Sequence, residues 1–112
     1  MIKMIVSDVD GTLLSHGYIN PKCIESIKKA QEKGIEFVVA SGRDYYGVTS
    51  ILDPLGIKCS ALVRLVTQYC NKEGKAIMDC YLDKEMLKEI LPVFIENNTP
   101  YMIFTTMVFI VL

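Results

Sequence analysis

The sequence predicts an α/β fold built on a parallel sheet. Two apolar runs carry that expectation, residues 2–6 (broken only by Lys3) and residues 35–40, Ile-Glu-Phe-Val-Val-Ala. An amphipathic stretch lies between them, opened by Asn20-Pro21 and closed by Gly34. Near-continuous apolar strands alternating with helices are the pattern of a sheet covered by its own crossovers. A strand–helix–strand crossover is right-handed, which makes the two strands parallel.

Each element has a local reason. Residues 2–6 read as a buried strand, and residues 15–20 as a turn-rich connection. Asn20 is an N-cap and Pro21 suits the first helical position. Cys23, Ile24, Ile27, Ala30 and Gln31 form the inward stripe, with Lys22, Glu25, Lys28, Lys29 and Glu32 around it. Gly34 ends the helix as its C′ residue. Residues 35–40 form the second strand and stop at Ser41-Gly42-Arg43. A helix over residues 44–52 ends at Asp53-Pro54, with Gly56 beyond. Residues 61–66 read as a third strand. Residues 67–70 and 75–79 form a hairpin across Asn71-Lys72-Glu73-Gly74. Asp83 caps a helix with the stripe Met86, Leu87, Ile90, Leu91, Phe94 and Ile95, and Pro92 inside it predicts a kink or an early end. A strand follows from Tyr101.

The chain has 112 residues, so it holds one domain at most, or part of one. Its net charge of −1 points to neither nucleic acid nor an anionic membrane as partner. Cys23, Cys59, Cys70 and Cys80 contain no CxxC pair, and Asp8 arrives too soon for a secretory signal. These features predict reduced thiols in a cytoplasmic protein. The apolar end, residues 101–112, is shorter than the roughly 20 residues of a membrane span. It reads as a final buried strand or as a chain that stops in mid-domain, with a tail anchor as the minor reading.

The chemistry is concentrated in Asp8-Val9-Asp10-Gly11-Thr12 and Ser41-Gly42-Arg43. Both strings follow strands of one parallel unit, so both lie on the carboxyl edge, where open α/β sheets bind ligands. A carboxylate such as Asp8 is a usable nucleophile toward phosphorus. Like charges keep it from a phosphate dianion unless a hard divalent cation, Mg²⁺, removes the repulsion. Asp10 can give a proton to the leaving oxygen and later take one from water. Backbone amides from Val9 through Gly11 to Thr12, with the Ser41 hydroxyl and the Gly42 amide, suit phosphoryl oxygens. Arg43 reads either as a surface ion pair or as a substrate contact. His16 reads as exposed loop before pocket lining.

Together these strings, with Leu13-Leu14 and the preceding Phe37-Val38-Val39-Ala40, resemble the haloacid dehalogenase superfamily, and most of all its Cof-type phosphatases. Asn20-Pro21, Leu55-Gly56-Ile57, the hairpin and Leu82-Asp83-Lys84-Glu85 fit the same pattern. The resemblance implies a Rossmann-like parallel-sheet core, of which residues 1–80 are the N-terminal half, and the start of an α+β cap in residues 81–112. It implies Asp8 as nucleophile and Mg²⁺ ligand, and Asp10 as acid/base and, through its carbonyl, a second ligand. Ser41 takes the phosphoryl group of a small phosphorylated metabolite.

Two departures stand out. Val66-Thr67 occupies the place of the family's Asn-Gly turn, and Met107-Val108 follow Thr105-Thr106 where Asp-Gly is usual. The family's later lysine and aspartates fall beyond residue 112. The expectation is therefore an incomplete enzyme whose open sheet edge invites self-association. The alternative is a catalytically inactive fragment or a non-catalytic partner-binding protein. A phospho-receiver is disfavoured because no Asp ends the strand at residues 61–66. GxGxxG and GxxxxGK[ST] are both absent, which disfavours dinucleotide and P-loop chemistry.

Overall fold

The computed structural model describes residues 1–104 and 109–111, with Phe104 and residues 109–111 by backbone alone. The departure at Thr105, Thr106, Met107 and Val108 lies outside the described residues, as does Leu112. The chain divides into two compact units, Met1–Cys80 and Tyr81–Leu112.

The first unit is a five-stranded sheet whose strands lie in the order Met4–Ser7 (β1), Glu36–Ala40 (β4), Ser60–Val63 (β5), Gln68–Cys70 (β6) and Ala76–Asp79 (β7). β1, β4 and β5 are parallel. β6 and β7 continue the sheet antiparallel. The expected hairpin is thus present, and its first strand also pairs with β5. At its tip the Asn71 side chain accepts from the amides of Glu73 and Lys75, and Gly74 takes φ +82°.

Two helices cover one face. α1 (Pro21–Glu32) starts as expected: the Asn20 side chain accepts from Lys22 N, and Gly34 follows the end at φ +75°. α2 (Tyr45–Leu52) is capped by Asp44, whose carboxylate accepts from Gly47 N. A 3-10 turn, Asp53–Leu55, leads to Gly56. Ile27 from α1 and Val48 and Leu52 from α2 join Phe37, Val39, Ala61 and Val63 in one core. Residues two apart on a strand share a face, so both helices lie on the same side of the sheet. In α1, Cys23 stays exposed while Ile27 is buried.

Two expectations are corrected here. Residues 2–6 do not form a buried strand: β1 is at the edge of the sheet, and Ile2, Met4, Ile5 and Val6 are exposed. Apolar composition set the strand; burial needed a neighbour on the open side. The third strand ends at Val63 rather than residue 66, because Arg64, Leu65 and Val66 all take left-handed φ (54°, 57° and 68°). Left-handed backbone costs roughly 1–2 kcal/mol per non-glycine residue. Thr67 offsets part of that by donating its amide to Val63 O and its hydroxyl to Arg64 O.

After β1 the chain enters a short loop and a hairpin, β2 (Leu14–Ser15) and β3 (Tyr18–Ile19). His16 and Gly17 both take positive φ (51° and 84°), the signature of a two-residue type I′ turn. His16 is therefore an exposed turn residue, hydrogen-bonded through Nδ1 to Ser15 Oγ at 3.0 Å.

In the second unit α3 (Lys84–Glu96) is capped by Asp83, which accepts from Met86 N at 2.8 Å. The helix continues past Pro92, so the proline does not end it. No residue of α3 is buried, and Met86, Ile90 and Ile95 of the stripe are exposed. Phe94 meets Tyr101 edge to face at 5.9 Å. β8 (Met102–Phe104) and β9 (Phe109–Val111) pair antiparallel, giving two strands where the sequence suggested one.

Burial separates two valines of similar sequence context. Val9→Ala, at a fully buried position, should cost about 2 kcal/mol, and Val6→Ala on the open edge under about 1 kcal/mol. Urea unfolding followed by circular dichroism measures both; equal losses would contradict this core.

Candidate active site at the carboxyl edge

Parallel register builds the site. Ser7 lies opposite Val39, so the chain leaves β1 and β4 side by side on one edge, into Asp8 and Ser41. The amide of Ser41 donates to Leu62 O at 2.8 Å, which ties this exit to β5 as well.

The first loop is held by Val9. Its side chain is fully buried, while Asp8 and Asp10 on either side are exposed. Its carbonyl accepts from Leu14 N at 2.8 Å and from Thr12 N at 3.3 Å. Gly11, at φ +80°, donates its amide to Leu14 O at 3.0 Å. The amides of Gly11 and Thr12 are thus used inside the loop. Buried Leu13 and Ile19 anchor its far end to the same core as Val9.

The second loop carries Ser41, Gly42 and Arg43. Ser41 is buried, and its Oγ accepts from Arg43 N at 3.1 Å. Its hydroxyl proton is still available to donate. Arg43 reaches across to the first loop: Nε donates to Asp10 Oδ2 at 2.8 Å and Nη2 to Oδ1 at 2.7 Å. Of the two sequence readings for Arg43, the structure displays the ion pair. This guanidinium holds the Asp10 carboxyl below its usual value of 3.8; the hydrogen bond is the main cause, slight burial opposes it, and the charge of Arg43 adds to it.

The left-handed turn after β5 belongs to the same edge. Arg64 N donates to Arg43 O at 2.8 Å. A side chain at Gly42 would begin 3.1 Å from Leu65 Cδ2, so Leu65 packs directly on Gly42. Arg64 Nε is buried with no hydrogen-bond partner among the described residues. Sequence reasoning singled out neither Arg64 nor Leu65; the sole signal was the missing Asn-Gly of this turn.

The donor set suits a hard cation. The exposed Asp8 carboxylate and the Asp10 carbonyl are oxygen ligands of the kind Mg²⁺ takes, alongside water and substrate phosphate. Among the described residues no trio of His, Cys, Asp and Glu converges. A shallow hollow of about 450 Å³ lies at the opposite edge, lined by Glu36, Lys58, Ser60, Tyr69 and Asn71. It shares none of the residues of the two loops.

The family model for haloacid dehalogenase-like hydrolases matches residues 5–112. Phosphatase YwpJ of Bacillus subtilis is 33% identical over 105 residues, covering 93% of this chain and 37% of the relative. The 5-amino-6-(5-phospho-D-ribitylamino)uracil phosphatase YwtE of the same organism is 33% identical over 101 residues, 80% of this chain and 35% of the relative. A solved haloacid dehalogenase-like hydrolase from B. subtilis superposes with a TM-score of 0.88 at 32% identity, over 96% of this chain and 38% of that one. The chain therefore spans little more than a third of the length of these relatives.

The pair sets a pH dependence. A depressed carboxylate stabilises the folded state above its unfolded pKa, near 3.8, and that contribution is lost as pH falls through the lower folded value. Carbon-13 NMR titration should find Asp10 below 3.8, and Arg43→Gln should return it to the ordinary value. An unchanged Asp10 in the variant would remove the guanidinium as the cause.

Proposed function

The chain belongs to the haloacid dehalogenase-like hydrolases, and from that premise we propose that it carries the nucleophile half of a Mg²⁺-dependent, Cof-type phosphatase site. The observation that carries this reading is the meeting of the Asp8–Asp10 loop and the Ser41–Arg43 loop on one sheet edge, joined by the Arg43–Asp10 pair. The substrate is a small phosphorylated metabolite, consistent with relatives that are named phosphatases.

In this reading Asp8 attacks phosphorus, and the P–O bond to the leaving group breaks as Asp10, which must first leave Arg43 and take a proton from solvent, passes that proton to the leaving oxygen. Ser41 donates its hydroxyl to a phosphoryl oxygen, and the Gly42 amide holds another. Gly11 and Thr12, with Val9, shape the loop around the transferring group. Asp10, now a carboxylate, takes a proton from water. That water attacks the aspartyl-phosphate, releasing inorganic phosphate and restoring Asp8. Mg²⁺ held by Asp8 and the Asp10 carbonyl would neutralise charge between carboxylate and phosphate. Arg43 contacts the phosphorylated substrate.

Residues 1–80 serve as the partial core and residues 81–112 as the beginning of a cap. A cytoplasmic setting fits the four unpaired thiols, of which burial pushes Cys59 up to about 11. No described helix is long and apolar enough to cross a membrane. The open edge of β1, with Ile2, Met4, Ile5 and Val6 exposed, is where self-association would occur. The alternative is a catalytically inactive fragment or a non-catalytic partner-binding protein; the chain covers 37% of the length of YwpJ.

Two measurements decide. With Mg²⁺ and p-nitrophenyl phosphate, turnover should disappear in Asp8→Asn and fall roughly 10²–10⁴-fold in Asp10→Asn. Mass spectrometry after acid quench should find a phosphoryl group on the peptide holding Asp8. Turnover that survives Asp8→Asn sinks the mechanism, and no turnover with no adduct supports the non-catalytic alternative. Separately, sedimentation should show association that weakens in Val6→Lys; no change would move the contact elsewhere.

A further inference from the structure

One guanidinium takes both oxygens of Asp10. The two bonds, 2.8 Å from Nε and 2.7 Å from Nη2, form the parallel fork that Arg presents to carboxylate and to phosphate alike. The backbone of Arg43 is fixed separately. Its amide donates to Ser41 Oγ and its carbonyl accepts from Arg64 N. The stem is therefore anchored beside the buried hydroxyl assigned to the phosphoryl group, and the tip is the part that can change partner. Asp10 belongs to the other loop, which Val9 fixes to the core.

We propose that Arg43 is an exchange latch: it holds Asp10 in the ligand-free chain, and a phosphate dianion arriving beside Ser41 takes over the guanidinium and releases the carboxylate. The proposal rests on the phosphatase reading and deepens it by assigning how the acid/base group becomes available. While Arg43 holds both oxygens, the carboxylate presents neither of them unshared to a leaving group or to water. A phosphate dianion offers the same fork geometry with greater charge. The side chains of Arg43 and Asp10 are 37% and 54% exposed, and solvent-screened pairs of this kind are weak enough to be displaced. Phosphorylated ligand would thus free its own acid/base group, whereas water alone would leave the pair closed. Arg43 is in this sense a positioning residue for Asp10 as well as a substrate contact.

The test is NMR on the isotope-labelled full chain titrated with inorganic phosphate in the presence of Mg²⁺. It follows the Arg43 Nε–H resonance and the amides of Ser41 and Gly42. The latch requires all three to move along one saturation curve. Asp10→Asn should raise phosphate affinity at least about fivefold in the parent, and that gain should vanish in an Arg43→Ala background. Arg43→Lys keeps the charge without the fork and should show a smaller coupling. Amides that move while Arg43 stays in place overturn the latch and leave the phosphoryl site standing. An equal Asp10→Asn gain in both backgrounds also overturns it, since charge repulsion alone then suffices. If neither loop responds to phosphate, the site reading fails and the latch with it.

Discussion

The carboxyl edge depends on the burial of Val9. Val9 lies in the turn that follows β1 and sinks its side chain into the core, while Asp8 and Asp10 on either side of it are exposed to solvent. Its carbonyl then gathers Leu14 N and Thr12 N, which closes the loop under the two carboxylates. A polar residue at position 9 would have no reason to stay inside, and nothing else in the loop is buried until Leu13. The cost of the arrangement is two like charges held close in sequence. Arg43 offsets it from the neighbouring loop, and the parallel pairing of β1 and β4 brings that neighbour within reach.

A second constraint sits behind Ser41-Gly42-Arg43. Three consecutive non-glycine residues, Arg64, Leu65 and Val66, occupy the left-handed region. Such conformations persist where their surroundings over-determine them. Here the surroundings are specific: Arg64 N is bonded to Arg43 O, Thr67 closes the turn twice, and Thr67 O accepts from Cys80 N. The turn in exchange presses Leu65 onto Gly42 and supports the backbone of Arg43. The strain is located where it positions the second loop, and the buried Arg64 Nε, without a hydrogen-bond partner among the described residues, is a further cost at the same place.

Local signals in the sequence were reliable where a single residue decides an outcome. Asn20, Gly34 and Asp83 punctuate helices through their own side chains or their absence, and all three act as such. The placement of Asp8 and Ser41 on one edge followed from the βαβ unit alone. What stayed hidden depends on partners distant in sequence. Residues 2–6 have the composition of a central strand, but the number of neighbours is a property of the sheet. Residues 64–66 have strand-forming composition, yet contacts with Arg43 and Cys80 override it. Arg43 had two plausible partners, and no spacing rule chooses between a carboxylate 33 positions away and a ligand.

The unequal faces of the sheet explain how the loops are ordered beside an open edge. Val9, Leu13, Ile19, Val39 and Val63 belong to one cluster with Ile27 of α1 and Val48 and Leu52 of α2. On the other face Val38 is buried without joining that cluster, while Met4, Val6 and Met78 remain exposed. The residues that fix both loops draw on the helix-covered face. Exposed apolar area on the other side favours association and lowers solubility, but none of the hydrogen bonds holding Asp10, Ser41 and Arg43 passes through it. Loop geometry and edge exposure are therefore separate physical problems in this chain. The first is solved by the βαβ crossover and one buried valine. The second is a matter of what lies against β1.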